Sequence, residues 1–126
     1  MTRWLIDASN VIGSRPDGWW RDREGAARRL LDALRQLAAE GKDVTVVLDA
    51  GPAEWAGRDG SFEVAIASRR GHDAADDEIA RRLDADPDPA SVRVVTSDAA
   101  LAARARARGA QVEGAGAFRR RLDRLG

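Results

Sequence analysis

The feature that most constrains this chain is an alternation of short apolar, β-rich runs with longer segments of helical periodicity. Strands are predicted at 3–6, 44–48, 62–66, 92–96 and 110–112. The clearest helical pattern begins after Asp22, a residue suited to capping, and stops at Gly41. This alternation is typical of a parallel sheet with helices on both faces. We therefore predict an α/β fold, a three-layer α/β/α sandwich with a mainly parallel sheet of four to five strands, formed by residues 1–126 as a single domain.

The composition is that of a globular domain and excludes several classes of protein. Apolar residues make up 44% of the 126 residues, and there is no cysteine. The first value argues against disorder, and the second excludes disulfides and cysteine-bound zinc and is compatible with a cytoplasmic location. Asp7 comes too early for a signal peptide. No apolar run approaches the roughly 20 residues of a membrane span, so we expect no membrane partner.

Net charge says little about partners, because 21 basic residues balance 21 acidic ones. All the basic residues except Lys42 are arginines. The planar guanidinium suits phosphate, but a GC-rich genome would favour arginine codons as well. The arginine content alone therefore does not predict a polyanionic partner.

Aspartates end three of the predicted strands. Asp7, Asp49 and Asp98 each follow an apolar run. The carboxyl ends of parallel strands share one edge of a sheet, and ligands bind beyond that edge. We therefore expect these carboxylates to lie close together.

A fourth acidic segment begins the helix predicted after the third strand, so its N-terminus lies at the same edge. At about 100° per residue, Asp76 projects about 40° and Asp73 about 100° from the buried direction of this helix. Asp77 and Glu78 project further round, towards solvent. Asp76 is thus the acid expected on the core-facing stripe, whereas Asp73 could equally be a plain helix N-cap.

Clustered carboxylates repel one another, so they need either protons or a cation between them. Ligand sets made only of oxygen favour Mg²⁺ or Mn²⁺ over zinc. Such ions activate water and stabilise the charge that develops on a phosphodiester. The acidic residues therefore predict a metal-binding nuclease site.

Four short motifs follow one another along the chain. They are Ile-Asp-Ala-Ser-Asn-Val-Ile-Gly at 6–13, Val-Leu-Asp-Ala at 47–50, Asp-Ala-Ala-Asp at 73–76 and Val-Thr-Ser-Asp at 95–98. In this order they resemble the YacP-like NYN domains of the PIN-like nuclease superfamily, over nearly the whole chain. Ala8 and Ser9 replace the glycine and tyrosine of the family's usual Asp-Gly-Tyr-Asn form.

The resemblance implies a PIN-like sandwich and a ribonuclease dependent on Mg²⁺ or Mn²⁺, endonucleolytic on single-stranded RNA or on mRNA at the ribosome. It carries over Asp7, Asp76 and Asp98 as metal-coordinating acids. Asp73 and Asp49 match further acidic positions of the site; we count both among the catalytic candidates and Asp73 among the metal-binding ones. Asn10 matches the polar residue of the first motif, where it would orient a ligand or water.

Basic and aromatic residues near these motifs are candidates for RNA binding. Arg15, Trp19 and Trp20 follow the first motif, and side chains of these kinds grip phosphates and stack on the bases of a single strand. Arg69 and Arg70 precede the acidic helix, where they could hold phosphates near the metal. Alternatively, one or both tryptophans only pin the loop to the core.

Functions other than a nuclease make different demands on the sequence. A catalytically silent, RNA-binding or regulatory PIN-like module is the alternative that remains. A phosphoacceptor receiver-like domain requires paired acids after the first strand and a lysine after the last, and neither is present. A haloacid-type phosphatase requires Asp-x-Asp at the first strand, where Asp7 is followed by Ala8 and Ser9.

Overall fold

The computed structural model describes residues 2–67 and 74–125. Six strands form one sheet in this part of the chain: β1 (Arg3–Asp7), β2 (Asp43–Leu48), β3 (Gly57–Asp59), β4 (Phe62–Ile66), β5 (Val92–Val95) and β6 (Gln111–Glu113). Five α-helices accompany them: α1 (Ala8–Ile12), α2 (Arg23–Ala39), α3 (Ala74–Ala85), α4 (Ala99–Ala107) and α5 (Ala115–Leu125). The strand order is β3-β4-β2-β1-β5-β6, and every neighbouring pair is parallel except β3 and β4.

Helices cover both faces of the sheet, which confirms the predicted α/β/α sandwich. Side chains of a strand point alternately to its two faces. Accordingly Trp4 and Ile6 of β1 pack in the core formed with α1, α2 and α5, whereas Leu5 packs in the core formed with α3 and α4. Within the described ranges, none of the helices combines the length and the apolarity that crossing a bilayer requires.

The sheet has one strand more than predicted, because part of the expected loop at 51–60 is the edge strand β3. Its residues pair antiparallel with β4, and Gly60, at φ +61°, lies in the turn between the two strands. β3 is exposed and carries no apolar alternation, so the sequence gives no periodic signal for it. Arg58 of β3 forms an ion pair with Glu63 of β4 at 3.2 Å.

The remaining predicted boundaries agree with the structure within two residues. The side chain of Asp22 caps α2 by accepting a hydrogen bond from the backbone N–H of Gly25 at 3.0 Å. Gly41, which follows the end of α2, has a φ of +92°, a conformation that glycine adopts without strain. The prediction missed α1 and the short 3₁₀ turns Trp19–Arg21, Ala53–Trp55 and Pro89–Ser91.

Helix α5 is anchored to the sheet through Phe118. This side chain has no exposed area, and its ring centroid lies 5.5 Å from that of Trp4 on β1. The guanidinium groups of Arg93 and Arg121 lie 5.1 and 5.3 Å from the Trp4 ring. The aromatic pair thus joins α5 to the central strand.

We predict that Phe118→Ala lowers the free energy of unfolding by about 3–5 kcal/mol, because it removes a fully buried ring and leaves a cavity. Arg120→Ala, at an exposed position on the same helix, should change it by less than about 0.5 kcal/mol. Chemical denaturation followed by circular dichroism measures both values. Equal losses in the two variants would show that α5 is not anchored by this ring.

Candidate functional site

Polar side chains gather at the carboxyl edge of the sheet on the face covered by α3 and α4. Leu5, Val47 and Val94 point to that face. Because orientation repeats every two residues, Asp7, Asp49 and Thr96 are directed to the same side. The start of α3 lies above them, where the backbone N–H of Ala75 donates to the Oδ1 atom of Asp49 at 2.9 Å.

The central residue of this group is Asp7, whose exposed fraction is 1%. Its Oδ2 atom accepts hydrogen bonds from Asn10 Nδ2 at 2.7 Å and from Thr96 Oγ1 at 3.3 Å. A carboxylate removed from water in this way is costly unless its charge is compensated. The two neutral donors compensate only part of that cost.

Asp76 of α3 lies beside Asp7. Burial, the negative charge of Asp76 and a hydrogen bond between the two carboxyl groups raise the pKa of Asp7 to about 7, from 3.8. A hydrogen bond from the backbone N–H of Asn10 lowers this pKa, and the charge of Asp49 raises it. The structure therefore brings Asp7, Asp76 and Asp49 together, with Asp7 and Asp76 in direct contact.

Asp49 connects the two helices that flank this pair. Its Oδ2 atom accepts a hydrogen bond from the hydroxyl of Ser9 on α1, and its Oδ1 atom accepts the bond from Ala75 on α3. Both carboxylate oxygens are therefore engaged with the protein. Asp49 therefore links α1 and α3 beside Asp7.

Asp98 follows β5 and caps α4. Its Oδ1 atom accepts a hydrogen bond from the backbone N–H of Leu101 at 2.8 Å. Asp98, Asp76 and Arg104 line one shallow cavity of about 190 Å³. Asp98 thus borders the same cavity as Asp76, with one of its carboxylate oxygens engaged by α4.

Asn10 holds the loop after β5 in place. Its side-chain Oδ1 accepts a hydrogen bond from the backbone N–H of Ser97 at 2.9 Å, while its Nδ2 donates to Asp7. Thr96 and Ser97 were not predicted as site residues, although both belong to the Val-Thr-Ser-Asp motif that identified Asp98. Ser97 Oγ in turn accepts a bond from the backbone N–H of Ala115 at 3.0 Å.

The donor set at Asp7 and Asp76 is compatible with a divalent cation. Mg²⁺ is commonly bound through one or two carboxylates and keeps several waters. Two carboxyl groups in contact also need a proton or a cation between them. Among the described residues, however, no three acidic, histidine or cysteine side chains lie close enough to hold one ion together. Asp73 lies outside the described residues.

The predicted RNA-binding residues have different environments. Trp19 is half-buried and Trp20 is 48% exposed; their ring centroids are 5.9 Å apart in an edge-to-face arrangement. Arg15 forms an ion pair with Asp123 of α5. Arg69 and Arg70 lie outside the described residues.

The prediction that Glu78 points to solvent is wrong. Its side chain is 12% exposed and pairs with Arg81 at 2.5 Å and with Arg82 at 2.9 Å. Arg82 also bonds Glu63 of β4 at 3.0 Å. Glu78 is therefore part of an ion-pair network that ties α3 to the sheet, and its pKa is lowered by the hydrogen bond from Arg81.

We predict that the metal-free protein loses stability as the pH rises from about 4 to about 7. The pKa of Asp7 is raised in the folded state, so the folded chain keeps a proton that the unfolded chain releases. Asp7→Asn removes this dependence. The free energy of unfolding of the variant minus that of the original protein should therefore increase by about 2–4 kcal/mol between pH 4 and pH 8. Denaturation with guanidinium chloride in EDTA measures this difference.

Asp32→Asn is the control, because Asp32 is an exposed residue of α2 on the other face of the sheet. Its stability should follow the pH dependence of the original protein. Addition of Mn²⁺ should stabilise the original protein more at pH 8 than at pH 5, since protons compete with the cation. If Asp7→Asn left the pH dependence unchanged, this would contradict the raised pKa of Asp7 in the folded protein.

Comparison with known proteins agrees with the fold described above. The sequence profile of the YacP-like NYN domain matches residues 4–126. A crystal structure of Rae1 (YacP) from Bacillus subtilis is similar to 99% of this chain and 75% of its own, with 24% identity and a TM-score of 0.77. A tryptophan-to-leucine mutant of the same protein is similar over 99% and 77%, with 23% identity and a TM-score of 0.76.

The likeness to these structures, at such low identity, concerns the fold and confirms a PIN-like α/β/α arrangement. A search among curated proteins gives no significant match. The matched range, residues 4–126, covers nearly the whole chain and includes the positions of all four motifs. The chain belongs to the family of YacP-like NYN domains.

Proposed function

We propose that this protein is a metal-dependent ribonuclease that cleaves single-stranded RNA or mRNA endonucleolytically. The observation that carries the proposal is the contact between the buried carboxyl of Asp7 and that of Asp76 at the carboxyl edge of the sheet. Membership of the YacP-like NYN family supports a nuclease rather than another use of this acidic edge.

Asp7 and Asp76 would hold the metal, for which Mg²⁺ and Mn²⁺ are the candidates because the available donors are oxygens. Asp98, which lines the shallow cavity with Asp76, and Asp73 would bind the ion directly or through water. A divalent ion bound here would supply Lewis-acid chemistry for phosphodiester hydrolysis. It would also relieve the repulsion that raises the pKa of Asp7.

The neighbours of Asp7 fix the orientation of its carboxylate. The hydroxyl of Thr96 accepts a hydrogen bond from the backbone N–H of Asp98 at 3.1 Å, so its own proton is directed to Asp7. The amide of Asn10 is fixed in the same way by its bond from Ser97. Such partners orient metal-binding carboxylates and tune their affinity.

The substrate is proposed to be single-stranded because exposed aromatic and basic side chains follow the first motif along the chain. Trp20 is 48% exposed with the guanidinium of Arg21 5.9 Å from its ring, a combination that suits stacked bases and their phosphates. Arg104 contributes positive charge to the cavity of Asp76 and Asp98. Action on ribosome-bound mRNA and a cytoplasmic location stay predictions.

A second candidate function is a catalytically silent RNA-binding module. It is favoured by the engagement of Asp98 as a helix cap. It is also favoured by the spacing of acids among the described residues, where no three acids are grouped closely enough for one ion. In such a module the acidic edge would persist without turnover.

We predict that Asp7→Asn and Asp76→Asn each reduce cleavage of a single-stranded RNA by roughly 100-fold or more, since metal catalysis contributes several kcal/mol. EDTA should abolish the activity, and Mg²⁺ or Mn²⁺ should restore it. Asp32→Asn, which changes an exposed acid of α2 on the other face of the sheet, should retain activity within about twofold. Initial rates on a fluorescently labelled RNA measure these effects.

Cleavage that continues in EDTA, or in Asp76→Asn, would contradict the proposed mechanism. RNA binding without cleavage in either metal, and unchanged by Asp76→Asn, would instead establish the silent module. Anomalous scattering from a crystal soaked in Mn²⁺ should place the ion between Asp7 and Asp76.

A further inference from the structure

We propose that a pocket between Trp19 and Trp55 binds one nucleobase of the RNA, an inference that rests on the proposed function and names a part of its substrate site. The pocket has a volume of about 470 Å³, which lies within the range of roughly 300–1,000 Å³ usual for small-molecule sites. It opens between the 3₁₀ turns Trp19–Arg21 and Ala53–Trp55.

Both aromatic walls of the pocket are supported from behind. Trp55 is half-buried against the core, and a Cβ atom added to Gly51 would lie 3.4 Å from its ring. Trp19 is held edge-to-face by Trp20 and has the guanidinium of Arg23 at 5.5 Å from its ring centroid. Rings fixed in this way lose little conformational entropy when a flat ligand stacks on them.

The polar groups of the pocket suit a nucleotide better than an apolar side chain of a peptide. Ser9, Glu24 and Asp49 provide oxygen acceptors in its wall, and the edges of nucleobases carry N–H donors. Arg23 lines the same pocket, and Arg28 lies 5.7 Å from the Trp55 ring. Guanidinium groups beside aromatic faces are suited to the phosphates that flank a stacked base.

The pocket also shares a wall with the acidic site. Ser9 and Asp49 line it, the hydroxyl of Ser9 donates to Asp49, and the negative charge of Asp49 acts on Asp7. A base held by Trp19 and Trp55 would therefore place an adjoining phosphodiester next to Asp7 and Asp76. The pocket would then set the register of the strand at the cleavage site.

The test is a thermodynamic cycle on RNA affinity, measured in EDTA so that metal-dependent cleavage does not interfere. The probes are a fluorescein-labelled five-nucleotide single-stranded RNA and versions with one abasic position, moved along the strand. Trp55→Ala should weaken binding of the intact RNA by roughly 5- to 100-fold, the range that follows from loss of one stacked base. Trp55→Phe should restore most of this affinity.

At one position the effects of the abasic substitution and of Trp55→Ala should be non-additive, because both remove the same contact. Arg106→Ala is the control: Arg106 is an exposed residue of α4 outside the pocket lining, so any effect it has should add to that of the same abasic position. Unchanged affinity in Trp55→Ala, as for a pocket that takes a peptide side chain, would overturn the proposal. Additivity at every position would overturn it as well.

Circular dichroism and thermal denaturation check that each variant is folded. If Trp55→Ala does not fold, Ala50→Leu replaces it in the cycle, since Ala50 is an exposed residue of the pocket wall and the larger side chain adds bulk there. The cleavage assay is independent of this cycle. If the protein shows the coupling but does not cleave RNA, the pocket proposal stands and the nuclease proposal fails. If it cleaves RNA but shows no coupling, only the pocket proposal fails.

Discussion

The burial of Asp7 is the constraint on which the rest of the site depends. Its strand, β1, lies between β2 and β5 in the middle of the sheet, so the carboxyl group at its end is covered from both sides. An ionised group in such a place needs hydrogen bonds and a countercharge. Asn10 and Thr96 provide the hydrogen bonds, but the nearest charged neighbour, Asp76, is negative. The folded chain thus holds two carboxyl groups in contact at a buried position, where a proton or a cation must compensate their negative charge.

The order of the strands explains why the carboxyl groups meet at this position. The chain proceeds from β1 to β2 and β4 on one side, then returns to place β5 on the other side of β1. This reversal creates a crevice beyond the carboxyl ends of β1 and β5, the usual position of ligands in open α/β sheets. The hydrogen bond from the backbone of Ser97 to Asn10 spans the crevice. The site is therefore a consequence of topology and of strand-end residues together.

The parts of the molecule that follow from hydrophobic periodicity could be predicted, and the parts that depend on individual contacts could not. The long apolar strands and α2 have patterns strong enough to fix their bounds. The five residues of α1 cover little more than one helical turn, and β3 has no apolar alternation. Helical projection placed Asp76 on the side of the core but misplaced Glu78. A projection considers only the direction of a side chain and not its ion pairs, and Glu78 pairs with Arg82. An aspartate is suited both to metal binding and to capping a helix, so the residue type alone does not distinguish these two roles for Asp98.

Two of the acids stabilise helices at the very positions where a phosphate would otherwise bind. Helix N-termini attract anions through their free N–H groups, yet Asp49 already accepts from Ala75 on α3, and Asp98 accepts from Leu101 on α4. One N–H group at each of these helix ends is thus already bonded by a carboxylate of the chain itself. Further positive charge for a phosphodiester would come from side chains such as Arg104, which lines the cavity of Asp76 and Asp98, or from a bound cation. Asp49 and Asp98 both bond helix N–H groups and carry negative charge at this edge of the sheet, so changes to either residue alter helix stability and charge balance together.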